Sequence, residues 1–441
     1  MASVVVVGAG VAGLTCAWRL KRAGHDVEVL ESEPHAGGRL RGESREGFII
    51  DRGARCIGSR DANLRSVANA LGIGDQLRSV GGAGSASLRG GQLYPADLAS
   101  PARLLGSRLL SAGGKVRLGR LAFEVVRQGR RLEAKPELAR ELDAEDLESA
   151  LRRVAGVECL EYLLEPSFAM RWGGSIDEFS WSFGLRALRA EVGTGSPKTF
   201  PKGMGLLTER LAASVRLRSG CRVEQIESET GGARVHYRRE NHEGRVVADA
   251  VVVAVPGSDV PALCPKLTPD ERGFFEHVRY TRGTSVSLML TEGWRELPWR
   301  AISFPRAAGV GLAALHVDHH KPGHAPPGSG LVTAWLSPRA GERLWEASDA
   351  DVANFALESL QETPVGRLKS RGEAVARFPR LLPIFYPGYA TRLGRFERRM
   401  DRSPRIAFAG DYLLGPSAEE ALTSGMRAAT EIARNLAATA R

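Results

Sequence analysis

Gly8-Ala9-Gly10-Val11-Ala12-Gly13 follows the apolar run Val4 to Val7 and opens Leu14 to Ala23, whose spacing predicts a helix. A strand that turns on glycines into a helix suits phosphate chemistry. The glycines make the tight turn, admit a pyrophosphate close to the backbone and pack helix on strand, while the helix N-terminus brings partial positive charge. Gly8, Gly10, Val11, Ala12 and Gly13 are therefore candidate cofactor-binding residues. Asp26 to Leu30 predicts a second strand, and Glu31 stands at its end, eighteen residues beyond Gly13, with Ser32 next to it. A carboxylate there accepts hydrogen bonds from a ribose and favours an unphosphorylated one, as in FAD or NAD.

Gly37-Gly38-Arg39 comes next. Its guanidinium fork matches phosphate oxygens, and two glycines let backbone approach closely. At the other end of the chain, Arg405-Ile-Ala-Phe-Ala-Gly-Asp-Tyr412 precedes Glu420-Ala-Leu-Thr-Ser-Gly425. Together these segments resemble the opening and closing motifs of the flavin amine oxidase superfamily and, within it, the protoporphyrinogen oxidase and carotenoid (phytoene) desaturase-like branch. The resemblance implies non-covalent FAD. It implies Gly38 and Arg39 on the pyrophosphate, Gly410 and Asp411 on the pyrophosphate and ribityl chain, and a helix from near Ala421 and Leu422 aiming N–H groups at the flavin N1 and O2 edge. It further implies that Val223, in Arg222-Val223-Glu224, lies on the strand holding the adenine, and that Gly53 and Ala54 lie in the turn beneath the isoalloxazine. The superfamily sometimes links flavin to a cysteine near the C-terminus, but no cysteine follows Cys264.

There are two departures. Where amine oxidases of the superfamily hold a lysine near flavin N5 and an aromatic residue before the closing helix, this chain has Ser287 and Ser417. A simple amine is thus not the expected substrate. With neither a lysine nor an evident histidine base, the expected chemistry is removal of a hydride from an activated C–H of a hydrophobic or polycyclic molecule. Tyr386 and Arg55, neighbours of flavin-contacting motifs, are the candidates to face it. A flavin-dependent isomerase without net redox change, and an amine oxidase, are the alternatives.

The elements that must position these residues spread over 441 residues, too many for one ordinary core of roughly 150. The expected class is α/β: a Rossmann-type FAD-binding domain (1–95, 200–265 and 390–441) interleaved with an α+β substrate domain (96–199 and 266–389) that combines a sheet with a helical lobe. The lobe, from about Leu98 to Arg189, is expected to break at Gly113-Gly114, Pro136 and Gly173-Gly174. A helix is expected over Leu206 to Leu217, and strands over Arg222 to Glu227, Arg234 to Arg238, Ala250 to Val255, Ser285 to Leu290, Gly311 to His316 and Leu331 to Leu336.

The 43% hydrophobic and 25% charged composition is that of a soluble globular protein, and the apolar runs are far shorter than the ~20 residues that cross a bilayer. The expected location is cytoplasmic. Five scattered cysteines without a C-x-x-C pair argue against disulfides and zinc. No metal and no nucleic acid are expected, and His316, His319, His320 and His324 read as an incidental solvated loop. The formal charge of +10 is concentrated between Arg103 and Arg140, where Arg and Lys alternate with Leu, Val and Phe. That stretch reads either as a solvated basic helix pair or as a surface for peripheral contact with anionic lipid.

Overall fold

A computed structural model describes residues 1–134, 138–191, 195–229, 231–292, 294, 297–399 and 403–439; Pro136 lies outside them. The β-branched apolar runs form the buried centre of a five-stranded sheet. Its strand order is Ile406–Phe408, Ala250–Val253, Ser3–Val7, Asp26–Leu30, Arg216–Arg218, and every pairing is parallel. The first helix, Val11–Arg22, and the last, Ala418–Thr439, pack together on one face. Gly425 allows that approach, because a Cβ there would sit 2.1 Å from the Ala12 carbonyl oxygen.

Cys221–Glu229, Gly232–Arg239 and His242–Ala248 form an antiparallel meander. Its third strand is mostly polar and half exposed, so it lacks the apolar alternation that marked the other two. The expected long helix after Leu206 is shorter. It spans Gly205–Ala213, and Arg216–Arg218 then joins the parallel sheet as its edge.

A seven-stranded sheet runs Lys369–Phe378, Gly283–Glu292, Gly330–Leu336, Leu312–Val317, Ala301–Ser303, Ser85–Arg89, Gln92–Pro95. The sequence boundary at residue 95 is corrected by this order: Ser85–Arg89 pairs with Ala301–Ser303, Gln92–Pro95 pairs with Ser85–Arg89, and both belong to the second sheet. Such a pairing joins segments more than 200 residues apart, which local pattern does not encode. One face carries Val286, Leu288, Leu315 and Val332 into a core shared with Val352, Ala356 and Leu360 of the helix Asp349–Gln361. The opposite face is mixed, with Met289 and Leu331 packed on Phe48 and Ile50, and Trp335 turned to the same side as Ser287 and Thr333. Register aligns Ser287, Thr333, His316, Ala301 and Ser85 in one row across it.

The helical lobe comprises Pro101–Gly106, Ala112–Ala134, Leu138–Glu141, Leu147–Cys159, Glu165–Trp172 and Trp181–Glu191. Asp146 caps the fourth of these by accepting from the Ser149 N–H at 2.9 Å. Gly113 and Gly114 do not break the lobe as expected. They lie in the first turn of Ala112–Ala134, where Gly114 leaves room for the Glu158 carboxylate. Gly173 does end its helix, at φ +65°.

Candidate active site

A cavity of about 1390 Å³ is lined from both sheets and the helical lobe. Single-ligand pockets usually hold about 300–1,000 Å³, so there is room for a dinucleotide and a second molecule. Gly8, Gly10, Val11, Ala12, Glu31, Ser32 and Val223 line it from the parallel sheet and the meander, and Gly38, Arg39, Gly53, Ala54, Gly410, Asp411 and Ala421 continue the wall. Gly13 and Leu422 are buried behind it. A Cβ on Gly13 would lie 2.0 Å from the Gly8 carbonyl oxygen, whereas one on Gly10 would meet nothing within 4 Å. Gly13 is thus a packing glycine, and Gly10 leaves the open space that a pyrophosphate needs.

Glu31 closes this end of the cavity. Its carboxylate accepts from the Ala9 N–H at 2.6 Å and the Glu33 N–H at 2.9 Å, which holds it at the mouth of the glycine turn. Arg39 donates to Asp411 Oδ2 at 2.6 Å and to the Leu381 carbonyl at 2.8 Å. Burial opposes the Arg39 charge, but Asp411 keeps the guanidinium above its ordinary value. Asp411 Oδ1 is buried and has no partner among the described residues. An orphaned carboxylate oxygen costs about 1–3 kcal/mol, and a ligand hydroxyl would satisfy it. Open glycine space, an acid at the end of the second strand, a guanidinium and an orphan acceptor together fit a flavin dinucleotide. Arg39 and the glycine turn would hold its phosphates, Glu31 its ribose and Asp411 its ribityl hydroxyls.

The other end holds a buried polar network. Ser287 Oγ and Thr333 Oγ1 are 2.8 Å apart, and Thr333 donates to Asp318 Oδ2 at 2.7 Å. Asp318 Oδ1 pairs with Arg55 and, at 3.1 Å, with Lys321. Lys321 also donates to Asp51 Oδ2 at 2.8 Å, which His324 Nε2 approaches at 3.1 Å. Asp51 Oδ1 accepts from the Met204 N–H at 2.7 Å. Burial penalises both carboxylates, yet Arg55 and Lys321 hold Asp318 well below the usual range, and Lys321 and His324 hold Asp51 below it.

This network overturns two expectations. The tract from His316 to His324 is not an incidental solvated loop: Asp318, Lys321 and His324 are buried, and His316 lines the cavity. The cavity does not lack a lysine either, because Lys321 lines it. Ser287, by contrast, is buried behind the cavity wall against Thr333. No group of histidine, cysteine and carboxylate side chains among the described residues is arranged to hold a metal. Asp318 and Lys321 escaped the sequence reading and His316 entered it only as part of a solvated loop, although one signal was available for its placement. Alternation along Leu312–Val317 sends Leu315 and Val317 to the core, which leaves His316 on the opposite face.

Arg55 lines the cavity, and its Nη1 is buried with no partner among the described residues. Tyr386 does not line it: its ring packs at 87° to Tyr389 and beneath the Arg279 guanidinium. Ser417 lines the cavity, and its Oγ accepts from the Glu420 N–H at 3.2 Å at the start of the last helix. Aromatic lining comes instead from Phe168, Trp172, Phe183, Trp335 and Phe378.

Residues 11–433 match the family model of flavin containing amine oxidoreductases. The chain is 25% identical to the mitochondrial protoporphyrinogen oxidase of Nicotiana tabacum, over 97% of this chain and 94% of that one. It is 23% identical to the coproporphyrinogen III oxidase of Bacillus subtilis, over 94% and 93%. Its fold is similar to that of wild-type putrescine oxidase bound to putrescine, with a TM-score of 0.78 and 20% identity over 98% of this chain and 99% of the other. The chain therefore belongs to the flavin containing amine oxidoreductase family, as an FAD-dependent oxidoreductase.

Proposed function

We propose that this chain dehydrogenates a hydrophobic, polycyclic substrate of the porphyrinogen type, using non-covalently bound FAD. The observation that carries the reading is the half of the cavity beyond the glycine turn. Phe168, Trp172, Phe183, Trp335 and Phe378 offer ring faces, with Arg171 and Arg300 among them. That lining suits a flat apolar ring system carrying acid groups. Full-length likeness to porphyrinogen oxidases supports the same substrate class. Bound FAD supplies the two-electron acceptor. The residues of the chain orient the substrate and exclude water, since most of the groups around Arg55 and Asp318 are buried.

Anaerobic mixing with coproporphyrinogen III, protoporphyrinogen, polyenes and a panel of amines tests this. Rapid bleaching of the flavin band by a porphyrinogen is expected, with O2 consumed on readmitting air. Bleaching by a small amine alone would sink the reading, and turnover without O2 uptake would favour an isomerase. Amine oxidation is the second reading. It is favoured by Lys321 in the cavity wall and by the fold shared with putrescine oxidase.

The basic lobe belongs to the same reading. Leu105, Val116, Phe123 and Val126 are exposed, the last three on the helix Ala112–Ala134, which also carries Arg117, Arg120 and Arg127. No helix among the described residues is long and apolar enough to cross a membrane. An apolar stripe edged with arginine suits contact with anionic lipid, which would bring an apolar substrate to the cavity. Co-sedimentation with phosphatidylglycerol vesicles, lost in Phe123→Asp and absent with phosphatidylcholine, is the expected result. Equal recovery of both proteins in the supernatant would leave the lobe a solvated basic surface.

A further inference from the structure

We propose that His316 is the proton acceptor of the dehydrogenation, taking the N–H proton of the substrate as the conjugated C–H is oxidised. This rests on the porphyrinogen-type reading above. His316 lies on the strand Leu312–Val317, on the face turned away from the apolar core, and lines the cavity with Ala301 and Ser85 of its own register row. Neither ring nitrogen is hydrogen-bonded to another described residue. Both are open to a ligand.

Charged groups face it from three elements: Arg55 from the turn after Phe48–Asp51, Asp318 and Lys321 from the segment following its own strand, and Arg171 from the helix Glu165–Trp172. Burial, then Arg55, Lys321 and Arg171, push the imidazole well below its ordinary range, with Asp318 opposing them. The ring is therefore neutral near pH 7 and has a lone pair to use. Asp318, anchored by Thr333, Arg55 and Lys321, is the one charge among them that favours the protonated ring. Bound FAD would be the oxidant, supplying the acceptor for the hydrogen and electron pair released as the C–H bond breaks. The N–H bond breaks and its proton passes to a ring nitrogen of His316. The conjugated C=N system of the product forms between the two.

Two variants test the assignment. A positioned general base contributes about 10²–10⁴-fold. His316→Gln should therefore slow anaerobic flavin reduction by a porphyrinogen about 100-fold or more, with FAD occupancy and melting temperature held. In His316→Ala, added imidazole should restore the rate in proportion to its unprotonated form. Independently of turnover, the imidazole resonance that disappears in His316→Gln should titrate, in the resting protein, below the ordinary histidine value of 6.5. Wild-type rates in His316→Gln, slow rates that imidazole does not rescue, loss of FAD from both variants, or an imidazole charged at pH 7 would each overturn the assignment. A wild-type flavin that no porphyrinogen bleaches overturns the porphyrinogen reading, and this one with it, whatever His316→Gln does.

Discussion

The two ends of the cavity are built in different ways. At the nucleotide end, short contiguous segments do the work largely through backbone: Gly8 to Gly13, Gly37 to Arg39 and Gly410-Asp411. At the substrate end, side chains from Asp51, Arg55, Arg171, His316, Asp318, Lys321 and Thr333 meet across nearly 300 residues of sequence. Backbone sites tolerate little local change and announce themselves through glycine. Side-chain networks are assembled by register and remain invisible until the sheet is built.

The largest expected effect is at the first end. Gly13→Ala drives a Cβ against the Gly8 carbonyl at 2.0 Å, so the protein should purify colourless or fail to fold. A yellow Gly13→Ala protein with full FAD content would show that the turn has more slack than its geometry allows. Next comes the second end. Lys321→Met leaves Asp51 and Asp318 facing each other in the interior without their shared cation, and removing one partner of a buried pair costs about 3–5 kcal/mol. Thermal unfolding of apoprotein and holoprotein should both register it, and an unchanged melting temperature would remove Lys321 from the framework.

Cofactor affinity should respond more mildly. Glu31→Ala and Arg39→Ala each lose charge-assisted hydrogen bonds to the dinucleotide, worth roughly 1.5–3 kcal/mol, or about 10- to 150-fold in FAD affinity. Equilibrium dialysis against FAD measures this, and wild-type affinity in either variant would mean that the ribose or phosphate contact is misassigned. Acid should separate the two ends as well. His316 is held well below its ordinary pKa and His319 is pushed down to about 4, in both cases first by burial. Below about pH 6.5 the unfolded chain gains protons that the native state refuses, so stability falls as pH drops. The depressed Asp51 and Asp318 contribute stability present above the unfolded carboxylate value, and it is lost only at still lower pH, through their folded values. A melting temperature flat from pH 7 to pH 4.5 would contradict the neutral histidines. The smallest effect is expected at Ser287→Ala, which removes one bond to Thr333 and should cost about 1 kcal/mol with FAD content unchanged. A loss several times larger by chemical denaturation would mean that Ser287 orders the whole Thr333–Asp318 chain.

By itself the sequence determined the nucleotide end. Glycine spacing after an apolar strand, an acid at the end of the next strand and a Gly-Asp pair before the last helix are local constraints, read off neighbouring residues. It also marked most strands of the parallel sheet, but only Gly283–Glu292, Leu312–Val317 and Gly330–Leu336 of the seven-stranded one. Only the tertiary structure decided that residues 85–95 join the second sheet, that Ser287 turns toward Thr333 rather than the cavity, and that Lys321, not a residue of Gly283–Glu292, brings a lysine to the cavity wall. The physical reason is common to all three. Strand register and buried ion pairing are settled between segments far apart in the chain, where a shift of one residue exchanges the core and cavity faces and a charge is tolerated only once its partner arrives.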